Sequence, residues 1–160
     1  MAEPDVVVEH PNREKAASKT TRAVVVALLV ASAIVLIVIS AGAWDALAGA
    51  KVLQLIYIVG YLGMALLVAR WSRGVLPVAA ALAIVLLIFA TVSVPGWLAR
   101  DKDGFTDPAL GSELVGLLCA LLAVLQALLI AFAMRGFQQA WNVEVEHPVE
   151  RRGGAAPAPA

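Results

Sequence analysis

The stretch AVVVALLVASAIVLIVISAGA, residues 23–43, decides the fold. It contains no charged residue, and it is bounded by Arg22 on one side and by Trp44 and Asp45 on the other. A helix of about 20 residues, at 1.5 Å per residue, matches the roughly 30 Å hydrocarbon core of a bilayer. The stretch therefore predicts a membrane-spanning helix.

The same stretch has an alternative interpretation as a secretory signal peptide, because Ala41-Gly42-Ala43 fits the small-residue cleavage pattern. Two features argue against cleavage. The region before the stretch is long and contains several acidic residues, and the apolar run exceeds the usual length of about 7–15 residues. We therefore expect a retained first span.

Three more apolar runs follow, and together the four predict an all-α transmembrane bundle over residues 23–134. A polar tail, 1–22, precedes the bundle, and a second tail, 135–160, follows it. The second tail ends in GGAAPAPA, which we expect to be disordered. The predicted spans are residues 23–43, 52–69, 75–98 and 114–134. The one sizeable connection, residues 99–113, is an outer loop. Pro95-Gly96 is expected to mark the exit of the third span.

The composition supports a membrane protein and excludes several other classes. Of the 160 residues, 61% are hydrophobic and 15% are charged, and the charges are confined to the tails and the connections. A soluble helix needs a polar face, which these runs do not have. The chain lacks the strongly basic surface that would indicate nucleic acid as a partner. The single cysteine, Cys119, excludes an internal disulfide and is expected to be a small buried hydrophobe.

Basic residues and tryptophans predict the orientation. Lys and Arg concentrate in the tails and in the connection between the second and third runs, so the positive-inside rule places both termini in the cytoplasm. Short connections make neighbouring helices antiparallel, which gives up-down-up-down topology in a plasma (inner) membrane, most consistent with a prokaryote. One tryptophan follows each run, where indole prefers the headgroup level. These predicted interface anchors are Trp44, Trp71, Trp97 and Trp141.

The two tails share a short motif, VVVEHP at 6–11 and VEVEHP at 143–148. Alternating Val and Glu before a proline is compatible with two short strands that pair beneath the bundle. The alternative is chance similarity between polar tails, and the sequence leaves both open.

The spans contain few residues that carry chemistry. Intramembrane charges usually mark function, and the four cores contain none, which argues against proton- or cation-coupled transport. Both histidines, His10 and His147, lie in the tails, which argues against a haem held inside the bundle. No phosphate loop, nucleophile elbow or metal-spaced histidine pair is present, so no cofactor or metal is expected.

The remaining candidates are polar residues on the second and fourth helices: Gln54, Tyr57, Tyr61 and Gln126. The first three share a helix face, and antiparallel packing brings Tyr61 and Gln126 within one or two helical turns in depth. An interhelical hydrogen bond that sets register is the favoured interpretation. The alternative is the lining of a cavity for a small ligand or a lipid.

Small residues on the fourth helix form two ridges at four-residue spacing. Such residues let helix backbones approach closely, so one ridge is expected to face its own bundle and the other would suit a second protein. An alanine-rich helix produces such spacing often by chance. The candidate helix-contact residues are Gly116, Ala120, Ala123, Ala127 and Ala131, with Ser112 at the start of the first ridge.

The outer loop resembles the opening of an EF-hand calcium loop, with Asp101, Asp103 and Asp107. The resemblance then fails, because Phe105 stands where an oxygen ligand is needed and Thr106 replaces the required glycine. A solvated acidic loop is the better interpretation.

The sequence thus predicts a non-enzymatic, multi-pass membrane protein that is an accessory or scaffold subunit of a membrane complex. The expected partners are the lipid bilayer and either a membrane protein or further copies of the chain. The alternative is a small oligomeric transporter or channel for a neutral or lipid-like solute. A lipid-modifying enzyme ranks third, because no acid–base or metal constellation is visible.

Overall fold

A computed structural model of the chain describes residues 6–100 and 107–148. The fold is mostly helical, and four of its helices are long and apolar enough to cross a membrane. The elements in chain order are β1 Val6–Glu9, α1 Pro11–Glu14, α2 Ala16–Gly42, a 3-10 helix Trp44–Ala50, α3 Lys51–Ala69, α4 Val75–Leu98, α5 Ser112–Gln138 and β2 Val145–Pro148.

The first and last long helices extend past the apolar runs that predicted them. Helix α2 begins at Ala16 rather than at residue 23, and α5 ends at Gln138 rather than at residue 134. The added segments, AASKTTR and RGFQ, contain charged and polar residues, so the apolar runs do not include them. An apolar run marks the part of a helix that suits a bilayer, whereas the helix itself ends where its backbone hydrogen bonds end.

Helix α4 continues through Pro95 and ends at Leu98, so Pro95-Gly96 does not terminate it as a helix. Proline removes one backbone donor, but near the C-terminus only one turn remains beyond it. The Ala99 amide donates to the Pro95 carbonyl at 3.0 Å and closes that turn.

The core lies where α2, α3, α4 and α5 meet, and α4 packs most extensively on α5. The α4 face toward the core is rich in alanine, including Ala79 and Ala83, both with no exposed surface. Small side chains let the backbones approach closely, which is a common way for helices to pack in membranes. In contrast, α3 packs well on α2 but contacts α4 only sparsely.

The outward faces of the four helices are apolar as well. Val59, Ile88, Leu117 and Val124 are each more than half exposed. A helix that is apolar all round is typical of a membrane span, because a surface helix of a soluble protein has a polar outer face. The apolar outer surface, like the length and composition of the helices, therefore fits helices that span a membrane.

Two short strands pair next to one end of the bundle. Strands β1 and β2 are antiparallel, with Val6 opposite Pro148 and Glu9 opposite Val145. Of the two interpretations of the shared tail motif, the structure has the paired one. We call the end of the bundle next to these strands the tail end and the opposite end, where the 3-10 helix lies, the loop end.

At the loop end, the chain after α4 returns to the end of α2. The Leu110 amide donates to the Gly42 carbonyl at 2.8 Å. A Cβ atom at Gly42 would lie 2.5 Å from the Leu110 Cβ, so only glycine permits this approach. Asp101 and Asp103 of the acidic loop lie outside the described residues, and its character stays a prediction.

Candidate functional site

A cluster of three polar side chains lies at the centre of the bundle. Ser32 from α2, Tyr61 from α3 and Gln126 from α5 have no exposed surface. The Tyr61 hydroxyl donates to Gln126 Oε1 at 2.6 Å, and Gln126 Nε2 donates to Ser32 Oγ at 3.0 Å. We call this set the Ser32–Tyr61–Gln126 cluster. It ties three of the four long helices together through neutral groups.

The cluster is suited to structure rather than to proton chemistry. A buried polar group without a partner costs on the order of 1–3 kcal/mol, and each of these three side chains has one. An amide and two hydroxyls carry no charge at neutral pH, so they neither store nor relay a proton readily. The arrangement fixes the rotation and depth of α2, α3 and α5 relative to one another.

The sequence predicted that Tyr61 and Gln126 lie close in depth, and the structure brings them into direct contact. It did not predict the third member. Ser32 is one of two serines in the 23–43 run, and that scarcity of polar residues was the available signal.

The other two candidates on α3 lie closer to the loop end. Tyr57 packs edge-on against Tyr61 with ring centroids 5.6 Å apart, and its hydroxyl donates to the Leu82 carbonyl of α4 at 3.2 Å. Gln54 is paired with Ser40 of α2, whose hydroxyl contacts Gln54 Oε1 and also donates to the Leu36 carbonyl at 2.7 Å. The predicted set of four therefore divides into a central pair and two residues nearer the loop end.

A cavity of about 280 Å³ lies between the Ser32–Tyr61–Gln126 cluster and the loop end. Its wall is mostly apolar and is formed by all four long helices and the 3-10 helix. Leu53 of α3 and Phe89 of α4 line it and are 40% and 50% exposed, so the cavity opens sideways between these two helices. The polar residues in its wall are Gln54, Tyr57 and Ser93, and the indole of Trp97 and the thiol of Cys119 also contribute.

The inner end of the cavity lies one helical turn from the central cluster. Leu36, Tyr57 and Leu122 line the cavity, and each lies one helical turn from Ser32, Tyr61 and Gln126 respectively. The cavity thus ends about one helical turn short of the fully buried, mutually bonded side chains of the cluster.

Contacts at the tail end join segments that are distant in sequence. Arg22 of α2 donates to the Ala69 carbonyl at 3.0 Å and stacks over the Trp71 ring at 4.2 Å. Trp71 meets Trp141 edge-to-face, with ring centroids 5.3 Å apart. Arg73 donates to the Phe137 carbonyl at 2.7 Å. The end of α3, the α3–α4 turn and the segment after α5 are therefore fastened to one another and to α2.

The N-terminal segment is held at the same end. Asn12 Nδ2 donates to the Ala140 carbonyl and Arg13 Nε to the Trp141 carbonyl, both at 3.0 Å. These bonds place the chain after β1 beside the chain before β2. On the exposed side, Lys19 bonds Glu14 at 2.9 Å, and this hydrogen bond and the charge of Lys19 hold the pKa of the Glu14 carboxyl below its ordinary value.

The four predicted interface anchors differ in their surroundings. Trp44 is exposed and Trp71 half-buried, whereas Trp97 is 9% exposed and Trp141 is fully enclosed by protein. The side-chain cations of Lys51, Arg22 and Arg100 lie 4.2–4.9 Å from the ring centroids of Trp44, Trp71 and Trp97 respectively. A cation over an indole suits the boundary between apolar and aqueous surroundings. Trp141 is instead a packing residue, and its N–H donates to Gln139 Oε1 at 3.0 Å.

The two small-residue ridges of α5 face different surroundings. Gly116 is buried, and a Cβ there would lie 2.9 Å from Leu98 of α4, so this ridge packs within the bundle. Ala120 and Ala123 are half-buried. Ala127 and Ala131 are exposed on the outer face of α5.

Comparison with known proteins adds no identity: no family model, no curated protein and no solved structure matches the chain. Among residues 6–100 and 107–148, no group of three or more His, Cys, Asp or Glu side chains lies close enough together to hold a metal ion. Assignment of a function therefore depends on the central cluster, the cavity and the ends of the bundle.

Proposed function

We propose that this multi-pass membrane protein is a non-enzymatic accessory or scaffold subunit of a complex in the plasma membrane. The observation that carries the proposal is the Ser32–Tyr61–Gln126 cluster. Its three side chains are fully buried and bonded to one another, so they serve to fix helix positions. A bundle fixed in this way, with the described parts of both tails held at one end, suits a scaffold.

The proposal includes up-down-up-down topology with both termini in the cytoplasm. Contacts between helix ends support the alternation of direction: Arg22 near the start of α2 meets Ala69 at the end of α3, and Ser40 near the end of α2 meets Gln54 near the start of α3. Orientation is argued from charge, because Lys and Arg are concentrated at the tail end.

A solute pathway is the alternative function. It requires a continuous polar route past Gln54, Tyr57, Tyr61 and Gln126. The cavity is lined by the first two residues but not by the last two, which have no exposed surface. This closed inner end favours the scaffold over the transporter.

We propose the outer face of α5 as the contact with a partner helix, because Ala127 and Ala131 would permit close approach there. The test is a gentle affinity purification of the tagged full chain from native membranes, followed by the mass of the intact complex. A stoichiometric second protein is the expected result. A homo-oligomer with nothing else bound would refute an obligate accessory role.

Two matched variants locate the contact. Ala127→Leu adds bulk to the proposed face, and Ala81→Leu adds the same bulk to an exposed position on α4. We expect only Ala127→Leu to release the partner. Equal retention by both variants would place the contact elsewhere on the bundle.

A further inference from the structure

We propose that the cavity between α3 and α4 holds one ester-linked acyl chain of a bilayer lipid, bound as a stationary ligand. The chain would fill the apolar part of the cavity, and its ester carbonyl would accept hydrogen bonds near the loop end. This ligand site is independent of the accessory role, since a bundle of any function would offer the same cavity.

The size and the wall of the cavity suit a single hydrocarbon chain. Its volume of about 280 Å³ lies at the lower end of known ligand pockets and is nearly twice that of an engineered apolar cavity that binds benzene. Leu36, Ile39 and Leu122, each 2% exposed, line its deep part. A whole diacyl lipid would not fit, whereas part of one chain would.

The route of entry is lateral. The cavity opens between α3 and α4, the pair of neighbouring helices with sparse mutual contacts. Leu53 and Phe89 at the opening are exposed and apolar, so a chain from the surrounding bilayer meets no polar barrier there. An apolar rim favours a hydrocarbon chain over a water-soluble ligand.

Two hydrogen-bond donors in the wall indicate a carbonyl on the ligand. Ser40 has one hydroxyl proton and also bonds the Leu36 carbonyl, and it is the one hydrogen-bond partner of the Gln54 amide within the described part of the chain. In either orientation of the amide, at least one of its two N–H groups therefore has no acceptor there. The same is true of the Trp97 indole N–H. A donor that lacks a partner and is fully buried could not be reached by a ligand. Neither of these two nitrogens is such an atom, so both remain accessible. Both are donors, so an acceptor such as an ester carbonyl is the complementary group.

The depth of these donors agrees with an ester. Gln54 lies three residues into α3 and Trp97 one residue before the end of α4, hence within about one helical turn of the helix ends. In a spanning bundle the helix ends approach the boundary of the hydrocarbon core, where the ester groups of lipids lie. The chain would then run inward toward Leu36 and Leu122, one helical turn from the central cluster.

Photocrosslinking of the full chain in nanodiscs tests the site. The probe is a diester phospholipid with a diazirine midway along one acyl chain, and adducts are mapped by mass spectrometry. Bulk lipid reaches outward residues such as Val59 and Val124 but cannot reach Leu36, Ile39 or Leu122. We expect adducts on these deep residues. Adducts confined to outward residues would overturn the proposal.

Three variants test separately how the acyl chain and the ester carbonyl of the lipid are bound. Ala90→Leu places extra carbons in the cavity wall and should abolish deep adducts. Gln54→Met removes the amide donor and should lower them roughly fivefold, as expected for one hydrogen bond. Ser40→Ala breaks the same α2–α3 hydrogen bond without altering a wall residue, so it is the matched control and should retain them.

An ether-linked probe with the same chain and diazirine tests the acceptor directly. It lacks the carbonyl, so we expect roughly fivefold fewer deep adducts than with the ester probe, and little further loss in Gln54→Met. Equal deep labelling by the two probes would refute the role of the carbonyl. Retention of deep adducts in Ala90→Leu would refute this cavity as the site of the chain.

Discussion

At the scale of single residues, the hydrogen bond between Tyr61 and Gln126 is the contact on which the bundle centre depends. A double-mutant cycle with Tyr61→Phe and Gln126→Leu should give a coupling free energy of about 0.6 kcal/mol, and not more than about 1.7 kcal/mol, as for interhelical bonds in other membrane proteins. Reversible unfolding in mixed micelles measures it. Because the role is structural, cellular function should persist in Gln126→Leu. Loss of function with unchanged stability would instead indicate a ligand at Gln126.

Trp71 provides a second prediction at this scale. Its φ is 66°, in the left-handed region, and its amide and that of Ser72 bond back to the carbonyls of Val68 and Leu67. This is a Schellman cap with tryptophan where glycine is usual. The ring contacts with Arg22 and Trp141 compensate for the backbone cost.

Trp71→Ala and Trp71→Gly both remove these ring contacts, but only glycine relieves the backbone. We therefore expect Trp71→Gly to be more stable than Trp71→Ala by about 1 kcal/mol in the same unfolding assay. Equal stability of the two variants would mean that the left-handed conformation imposes no cost.

The sequence predicted the Tyr61–Gln126 pair because a uniform helix rise converts residue number into depth. It grouped Gln54 with that pair because positions i, i+3 and i+7 share a face. Seven residues of helix, however, span about 10 Å, so Gln54 meets Ser40 instead. Ser32 was not assigned, because rotation of α2 about its own axis depends on packing that hydropathy does not report.

At the scale of elements, Gly42 controls how the chain after α4 packs against α2. A Cβ there would meet the Leu110 side chain at 2.5 Å, so Gly42→Ala should destabilise the protein by about 1–3 kcal/mol through overpacking. Gly63→Ala is the control, because nothing lies within 4 Å of its position in the middle of α3. Helix propensity alone should make Gly63→Ala neutral or stabilising. A thermal shift of the same sign in both variants would contradict the steric explanation.

Hydropathy predicted the four long helices well, because the requirement for an apolar run of fixed length dominates everything else. It left the tail strands open, because two copies of so short a motif, VVVEHP and VEVEHP, do not distinguish pairing from chance. Bonds from Asn12 and Arg13 to the carbonyls of Ala140 and Trp141 bring the strands together. No periodicity in the sequence reports such side-chain-to-backbone bonds.

At the scale of the whole molecule, the bundle is tightly built except along one seam. Helix α4 is packed closely on α5, and α2 on α3, whereas α3 and α4 have sparse contacts that include the Tyr57–Leu82 hydrogen bond. Both ends are fastened, by Arg22 and Arg73 at the tail end and by the Gly42–Leu110 contact at the loop end. A lateral opening between fastened ends suits an inserted chain better than a moving gate.

Labelling with a membrane-impermeant maleimide tests the predicted orientation of the whole bundle. Starting from Cys119→Ala, single cysteines replace Gly49 and Asp107 at the loop end or Gly74 and Glu144 at the tail end, all of them exposed positions. The positive-inside rule predicts that intact cells label Gly49→Cys and Asp107→Cys, and that the other two react only after permeabilisation. Labelling of Gly74→Cys and Glu144→Cys alone in intact cells would show the opposite orientation, with the tail end outside. The three basic residues predicted on the outer side, Lys51, Arg100 and Lys102, would then outweigh the larger basic set at the tail end, contrary to the rule. Reaction of one site from each end in intact cells would exclude a bundle whose helices all cross the membrane.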